Sequence, residues 1–263
     1  MSSDSEGVTV QLVDRVAVIR FTPRPDGTIS NKGASLLGEG VADCLASEEV
    51  RSLVLTGSQA GVFIRHANVE QIVRAAAALQ AGKIAPQDFL ETPFQQLCRT
   101  LDAARKPVIA AINGVCMGGG FEIALACTMR VAEAGVTAIG LPEIRIGIPP
   151  GCGGPQRLAR LVGFHGARLF TLQGRVVDAM TAQRLGLVDG VAQDALAFSM
   201  EQARIFARRV PEAVAAIMEQ AQVDDTSSIR ENASIFAQVL ETGAASASLL
   251  DWQTTCRPLD ALE

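Results

Sequence analysis

Residues 106–154 read KPVIAAINGVCMGGGFEIALACTMRVAEAGVTAIGLPEIRIGIPPGCGG, and this stretch decides the fold. It begins with a short apolar run at residues 107–112, which Asn113-Gly114 closes. An apolar run of this length, bounded by a turn signal, predicts a buried strand that ends in a turn. A glycine triplet at residues 118–120 then leads directly into FEIALACTM, which is compatible with a helix. The stretch therefore predicts a strand, a glycine-rich loop and a helix in succession.

The glycine triplet predicts a backbone site for an anionic oxygen. Glycine adopts conformations closed to other residues and lets a ligand approach the main chain closely. The first amides of the helix that follows have no partner inside it, and they point outward with the positive end of the helix dipole. Glycines alone are equally compatible with a helix-start loop that binds nothing. The neighbouring residues favour the binding site.

Two glutamates lie close to this loop in otherwise apolar sequence. Glu122 falls in the first turn of the predicted helix, and Glu143 lies within IGLPEIRIGIP. An unpaired carboxylate is costly to bury, so we expect a function for each of them. Two carboxylates beside an oxyanion-binding loop indicate proton transfer next to a polarised carbonyl.

These motifs resemble the core of the enoyl-CoA hydratase (crotonase) family. The family's strand, glycine triplet and Glu, followed by Pro-Glu and a Gly-rich loop, match KPVIAAINGVCMGGGFE and GLPEIRIGIPPGCGGPQRL. The resemblance covers roughly residues 8–195. It implies an α/β fold, a crotonase-like spiral of stacked ββα units with a C-terminal helical trimerisation region. It also divides the chain into a catalytic core, residues 1–195, and a helical oligomerisation region, residues 196–263.

The resemblance implies addition of water across the 2,3 double bond of a 2-enoyl-CoA thioester through an oxyanion-stabilised enolate. In the family's roles, Glu122 would activate the water and Glu143 would deliver a proton to Cα. The backbone amides of Ala67 and Gly119 would form the oxyanion hole. The other residues that would contact the substrate or its coenzyme A are Arg24, Ile64, His66, Gly118, Gly120, Pro142 and Gly151.

Alternative functions stay open at the level of sequence. The same enolate serves enoyl-CoA isomerases and the hydrolases or lyases that cleave a C–C bond. A non-catalytic binding module with the same fold is a third alternative. Both glutamates and all three glycines are present, which argues against that module.

The chain departs from the family pattern in the loop that would supply the first oxyanion amide. His66-Ala67-Asn68 stands where the family has Gly-Ala-Asp. His66 could orient groups or transfer protons, but we favour a packing role against the acyl chain or solvent. Arg24 is either an anion contact for coenzyme A or a solvated loop residue. Near the C-terminus, Arg257 could replace the phosphate-binding lysine that this chain lacks.

Composition excludes several classes of protein. Aromatic residues make up 4% of the 263 residues and the net charge is −5, so neither base stacking nor a basic footprint for nucleic acid is present. The six cysteines form no CxxC pair and no metal-ligand spacing, which indicates reduced core thiols and no metal. A short acidic N-terminus and the lack of a long apolar run predict a cytoplasmic protein with no membrane contact. The resemblance implies a homotrimer or a dimer of trimers, and no cofactor beyond the coenzyme A of the substrate.

Periodicity predicts the elements outside the central stretch. A hairpin of residues 8–13 and 16–21 turns at Asp14-Arg15, and a helix over 31–47 precedes a strand over 52–57. The other predictions are helices over 69–81 and 86–104, two helices that Gly163 separates between 155 and 172, and helices throughout the region after 195. Phe89, Leu90 and Phe94 could line an acyl pocket, although we favour core packing for all of them.

Overall fold

Residues 6–221 and 234–255 are described by the computed structural model, and in them short strands alternate with helices. The strands are β1 (Gly7–Val13), β2 (Val16–Thr22), β3 (Ser52–Gly57), β4 (Gly61–Ile64), β5 (Val108–Ile112), β6 (Gly114–Met117), β7 (Met129–Glu133), β8 (Ile139–Gly140), β9 (Val176–Val177) and β10 (Gly190–Ala192). The helices are α1 (Asn31–Ala46), α2 (Val69–Gln80), α3 (Pro93–Asp102), α4 (Gly119–Ala126), α5 (Gly154–Leu172), α6 (Ala179–Arg184), α7 (Ala195–Ala207), α8 (Pro211–Gln220) and α9 (Gly243–Thr255), with a further helical segment at 234–240. Two 3₁₀ turns, Pro86–Glu91 and Glu143–Ile146, complete the set.

The strands form two sheets, and successive ββα units contribute to both. The larger sheet has the order β1-β2-β3-β5-β7-β10 and the smaller has the order β4-β6-β8-β9. In the units that begin with β3, β5 and β7, the first strand joins the larger sheet and the second joins the smaller one. Pairing is parallel except for β1 with β2 and β8 with β9. The predicted spiral of stacked ββα units is confirmed.

The N-terminal hairpin forms as predicted. β1 and β2 pair antiparallel with Val13 opposite Val16, so the loop contains only Asp14 and Arg15. Both loop residues have positive φ, 52° and 65°, which matches the twist that a two-residue hairpin loop requires.

The larger sheet is covered on both faces. Alternate residues of β2, β3 and β5 point to a core shared with α1, α3 and α4, and the intervening residues point to a second core shared with α7. Strands buried on both faces are mainly apolar, which explains the sequence of β5 and most of β3; the two hydroxyls of β3, in Ser52 and Thr56, donate to main-chain carbonyls. Ser52 Oγ donates to Ala203 O of α7 at 2.8 Å. The first helix after residue 195 thus packs on the sheet, and the predicted oligomerisation role of residues 196–263 stays a prediction.

Two predictions about local structure were wrong. The helix expected over 86–104 is a 3₁₀ turn followed by α3, because Pro93 starts a new helix and the Thr92 side chain caps it by accepting from Gln95 N. The turn expected after residue 112 leads into β6, a strand of the smaller sheet. Both breaks change the direction of the chain.

Other parts of the second half agree with the sequence analysis. Gly163 has φ 75° and separates two helical stretches within α5, as predicted. The helical pattern before Trp252 is interrupted at residues 241–242. Arg257 and Cys256 lie outside the described residues. Among those described, no helix is long and apolar enough to cross a membrane.

Gly120 allows α4 to lie directly on the smaller sheet. A Cβ atom at Gly120 would stand 2.1 Å from the carbonyl oxygen of Ile64, the last residue of β4. Real Cβ atoms do not approach a carbonyl so closely, so any larger residue must push the helix away from the strand. The glycine fixes the position of the first turn of α4 relative to the loop after β4.

We predict that Gly120→Ala lowers the free energy of unfolding by about 1–3 kcal/mol, because overpacking forces a backbone shift. Urea denaturation of the variant and the parent measures the difference. Gly135→Ala is the matched control, since a Cβ at Gly135 meets nothing within 4 Å. An equal change in both variants would contradict the close-packing explanation.

Candidate active site

A cavity of about 250 Å³ lies at the N-terminal end of α4, between the loop after β4 and the loop before α5. Most of the residues singled out from sequence line it: His66, Ala67, Gly118, Gly119, Glu122, Pro142, Glu143 and Gly151. The structure thus brings together residues that are up to 85 positions apart in the chain (151 − 66). Phe89 and Phe94 also line the cavity.

Three of the predicted binding residues are outside the cavity lining. Ile64 is buried with its carbonyl against Gly120, so both serve the contact between β4 and α4. Arg24 is half-buried in the turn before α1, where its Nε lies 3.9 Å from Asp26 Oδ1. Binding roles for Arg24, Ile64 and Gly120 stay predictions.

Ala67 and Gly119 are neighbours at the cavity wall. A Cβ at Gly119 would lie 3.2 Å from Ala67 Cβ and 3.4 Å from Ala67 N. Gly119 is the first residue of α4, so its amide has no acceptor within the helix. Around Ala67, the bridge to Ile29 uses His66 O and Asn68 N and leaves the Ala67 amide out. The amides of Ala67 and Gly119 therefore lie side by side at the cavity wall, and neither has an acceptor among the described residues.

Asn68 explains part of the unusual loop sequence. Its side chain caps α2 by accepting from Gln71 N at 3.0 Å. Asparagine and aspartate both serve as helix caps, so the cap survives without the charge that an aspartate would carry. The N-terminus of α2 therefore lies next to Ala67 in the chain.

The loop before α5 holds the carboxylate of Glu122. Its Oε1 accepts from the amides of Cys152 and Gly154, each at 2.8 Å. Burial raises the pKa of Glu122, and hydrogen bonds from Cys152, Gly154 and Gly151 together with the charge of Arg157 oppose that rise. These contacts stabilise the ionised form of Glu122 and limit the rise of its pKa.

Glu143 stands across the cavity in a different environment. Its Oε2 is buried and has no hydrogen-bond partner among the described residues, and its Oε1 lies close to Gly118. Burial raises the pKa of Glu143 well above its ordinary value, and the charge of Glu122 raises it further. The two carboxyls share a site but differ in their hydrogen bonds, and the pKa of Glu143 is the more strongly raised of the two.

His66 is a buried member of the cavity wall, 8% exposed. Its Nδ1 lies 2.8 Å from Ala67 O, so this nitrogen carries the proton and donates it to the carbonyl. The ring meets Trp252 of α9 edge-on, with 6.2 Å between centroids. This environment accords with the packing role that we favoured, and contact with substrate stays a prediction.

The remainder of the cavity wall is mainly apolar. Ile146, Ile148 and Phe94 line it, and Phe89 meets Phe236 with 5.6 Å between ring centroids. Leu90 is not part of the lining. Sequence analysis missed Phe236, because an aromatic in a C-terminal helical segment carries no local sign of its distant partner.

Gln95 is a second site residue that the sequence did not reveal. It lies on α3, is buried, and donates from Nε2 to Gly151 O at 2.6 Å. Its neighbour Gln96 is exposed. Only the rotation of α3 distinguishes the two glutamines, and helical spacing from Phe94, Leu97 and Leu101 is the signal that could have done so.

A family model described as enoyl-CoA hydratase/isomerase matches residues 12–248. The chain belongs to the enoyl-CoA hydratase/isomerase family. The match includes every residue of the cavity wall named above, from His66 to Phe236.

One curated relative of this family member is the glyoxysomal fatty acid beta-oxidation multifunctional protein MFP-a of Cucumis sativus. The two are 35% identical over 193 residues, which is 73% of this chain. The matched part is 26% of the relative, so the chain spans about a quarter of that protein's length.

Solved structures of the family share the fold. DspI of Pseudomonas aeruginosa is 29% identical, with a TM-score of 0.72 over 87% of this chain and 92% of that one. Human mitochondrial delta3-delta2-enoyl-CoA isomerase is 20% identical, with a TM-score of 0.80 over 95% and 97% of the two chains. At 20% identity the likeness shows the fold alone.

The environment of Glu143 predicts a dependence of stability on pH. Because its pKa is raised in the folded state, the protonated acid stabilises the fold at low pH, and this contribution is lost as pH rises through the folded pKa. We expect Glu143→Gln to raise the free energy of unfolding at pH 8 by about 0.5–2 kcal/mol, and by less at pH 5.

Urea denaturation of parent and variant at the two pH values measures this. Glu201→Gln, at an exposed position of α7, is the control for loss of one negative charge. A Glu143→Gln effect that is the same at pH 5 and pH 8 would contradict a buried acid that keeps its proton.

Proposed function

We propose that this protein is a 2-enoyl-CoA hydratase. One observation supports this above all: a hydrogen-bonded carboxylate, Glu122, and an unpaired buried acid, Glu143, share one cavity with the free amides of Ala67 and Gly119. Hydration needs a base, an acid and an oxyanion site within reach of one thioester. The family supplies the thioester class, and the cavity supplies the three groups.

The oxyanion site would act first. A thioester oxygen against Ala67 N–H and Gly119 N–H becomes more negative as the β-carbon is attacked, and each donor stabilises that charge by about 3–4 kcal/mol. The amides are fixed by the start of α4 and by the bridge to Ile29, so they need no rearrangement. In this proposal the amides of Ala67 and Gly119 would therefore stabilise an enolate intermediate.

The glutamates would then move two protons. Glu122 takes a proton from water as the water oxygen bonds to Cβ, and the electron pair of the double bond passes to Cα and the thioester oxygen. Glu143 gives its proton to Cα as the enolate collapses. The sum is one water added across the double bond, and each glutamate returns to its first state when a proton passes from Glu122 to Glu143.

The acyl group would lie along the apolar wall near Phe89 and Phe236. Arg24 remains our candidate for an anionic group of coenzyme A at the mouth of the site. We propose in addition a cytoplasmic homotrimer or dimer of trimers that needs no cofactor beyond its substrate.

We predict that Glu122→Gln and Glu143→Gln each lower the hydration rate of a 2-enoyl-CoA by about 10²–10⁴-fold, since each removes one proton-transfer group. Loss of the enoyl absorbance measures hydration across acyl chains of several lengths. Glu201→Gln serves again as control and should keep the parent rate.

Other outcomes point to other functions. Turnover of 3-enoyl-CoA alone would make the protein an isomerase, and turnover of β-diketone substrates alone would make it a C–C hydrolase or lyase. No affinity for any acyl-CoA in calorimetry would make it a binding module. Each of these results would overturn the hydratase proposal.

A further inference from the structure

A buried arginine stands behind the catalytic glutamate, outside the cavity lining. Arg157 lies in the first turn of α5 and is 2% exposed, which makes it the largest of the fully buried side chains in the described residues. Its Nε donates to Asp102 Oδ1 at 3.0 Å and its Nη2 to Asp102 Oδ2 at 2.5 Å. Its Nη1 donates to Cys152 O. All three nitrogens of the guanidinium are thus engaged.

Cys152 connects this arginine to the active site through a single residue. Its amide donates to Glu122 Oε1 at 2.8 Å, and its carbonyl accepts from Arg157. On the other side of the same loop, Gln95 holds Gly151 O at 2.6 Å. The loop that binds the Glu122 carboxylate is therefore fixed from α3 and from α5.

Structural support alone does not explain why a cation occupies this position. Burying an arginine carries a large desolvation cost, and a buried ion pair is commonly no better for stability than apolar residues of the same volume. Asp102, the partner, is 25% exposed and retains part of its hydration. Asp102 therefore offsets the positive charge only in part, and the charge of Arg157 acts on Glu122, whose pKa it lowers.

We infer that Arg157 is a positioning residue that holds the amides of residues 151–154 on Glu122 and stabilises its carboxylate by charge, with Asp102 moderating that charge. The catalytic part of this inference rests on the proposed function, in which Glu122 is the base. The electrostatic part concerns Glu122 alone.

Few charged groups in the described residues compete with Arg157 for influence on Glu122. The elements packed on α4 are α3, α5, β4 and β6, and β4 carries no titratable side chain. Burial raises the pKa of the Cys98 thiol to about 12 and those of Cys116 and Cys152 well above the ordinary value, so these thiols stay neutral. Besides Arg157 and Asp102, the helices α3 and α5 carry Arg99, Arg160, His165 and Arg168. Of these groups, Arg157 is the one whose charge lowers the pKa of Glu122, and outside these elements Glu143 has its own pKa raised by the charge of Glu122.

Two substitutions should move the titration of Glu122 in opposite directions. Arg157→Gln removes the cation and should raise the pKa of Glu122 by about one unit. Asp102→Asn keeps the cation but removes its counter-charge, so it should lower that pKa. A side chain that only fills space or ties two helices together would not give opposite signs.

The readout is the side-chain carboxyl resonance of Glu122 in ¹³C-glutamate-labelled protein, assigned by its absence in Glu122→Gln and followed against pH. Independently, the acid limb of kcat/KM for 2-enoyl-CoA should shift in the same directions, with about a tenfold loss below the limb for each unit of upward shift. Because Glu122 and Glu143 influence each other's titration, the acid limb of kcat/KM reports the pKa of the pair. The carboxyl resonance reports the titration of Glu122 itself.

A second buried ion pair provides the matched control. Arg130 is 4% exposed, donates from Nη2 to Asp189 Oδ2 at 2.8 Å, and donates from Nη1 to Cys127 O at 2.9 Å. Like Arg157, it pairs with an aspartate through Nη2 and with a cysteine carbonyl through Nη1, here at the other end of α4, although its Nε has no partner in the described residues. Arg130→Gln and Asp189→Asn should lower the free energy of unfolding but leave the pKa of Glu122 unchanged.

The proposal holds if the two Glu122 shifts have opposite signs and the control pair gives none. It is overturned if Glu122 does not move, if both variants move it the same way, or if the control pair moves it equally. Should Arg157→Gln fail to fold, the sign of the Asp102→Asn shift decides alone. Shifts of the expected signs in a protein without hydration activity would uphold the charge effect and reject the hydratase function.

Discussion

Three backbone amides hold the carboxylate of Glu122 inside the protein, and the rest of the site depends on that contact. They come from residues 151–154, which enter α5 at its N-terminus. Glu122 itself is fixed because α4 lies against β4 with no space for a side chain at Gly120. Glu122, its hydrogen-bond donors and the amide that we propose for the oxyanion site thus all lie at the starts of two helices.

The two glutamates show how one apolar cavity gives the same residue type two behaviours. Burial alone would keep both protonated. Amides and an arginine surround Glu122, whereas Glu143 Oε2 has no partner and faces the charge of Glu122. The difference lies in the loops around them and not in the glutamates. A substitution far from either carboxylate can therefore alter the acid–base pair.

Sequence predicted much of this site because local patterns carried it. Local sequence motifs identified the glycine triplet, Glu122 and Glu143. The family resemblance identified Ala67. Phe236 and the pairing of Arg157 with Asp102 were not predictable, because each depends on which helix face meets which distant loop. The buried side of α3 that includes Gln95 was readable from helical spacing, but its contact with Gly151 was not. The helix over 86–104 failed for a local reason, since Pro93 with Thr92 marks a new start that apolar spacing alone does not show. β6 is short, and its neighbours in the smaller sheet come from other units of the spiral.

Phe236 belongs to the apolar part of the cavity wall and also touches the loop that binds Glu122. It presses against Gly151 and Phe89, yet it belongs to a segment 82 residues beyond the end of the central motif region (236 − 154). Substitutions of Phe236 among descendants of this gene can therefore reshape the apolar wall and, through Gly151, disturb the loop that binds Glu122. The two parts of the cavity share one aromatic ring, so they are expected to change together in evolution.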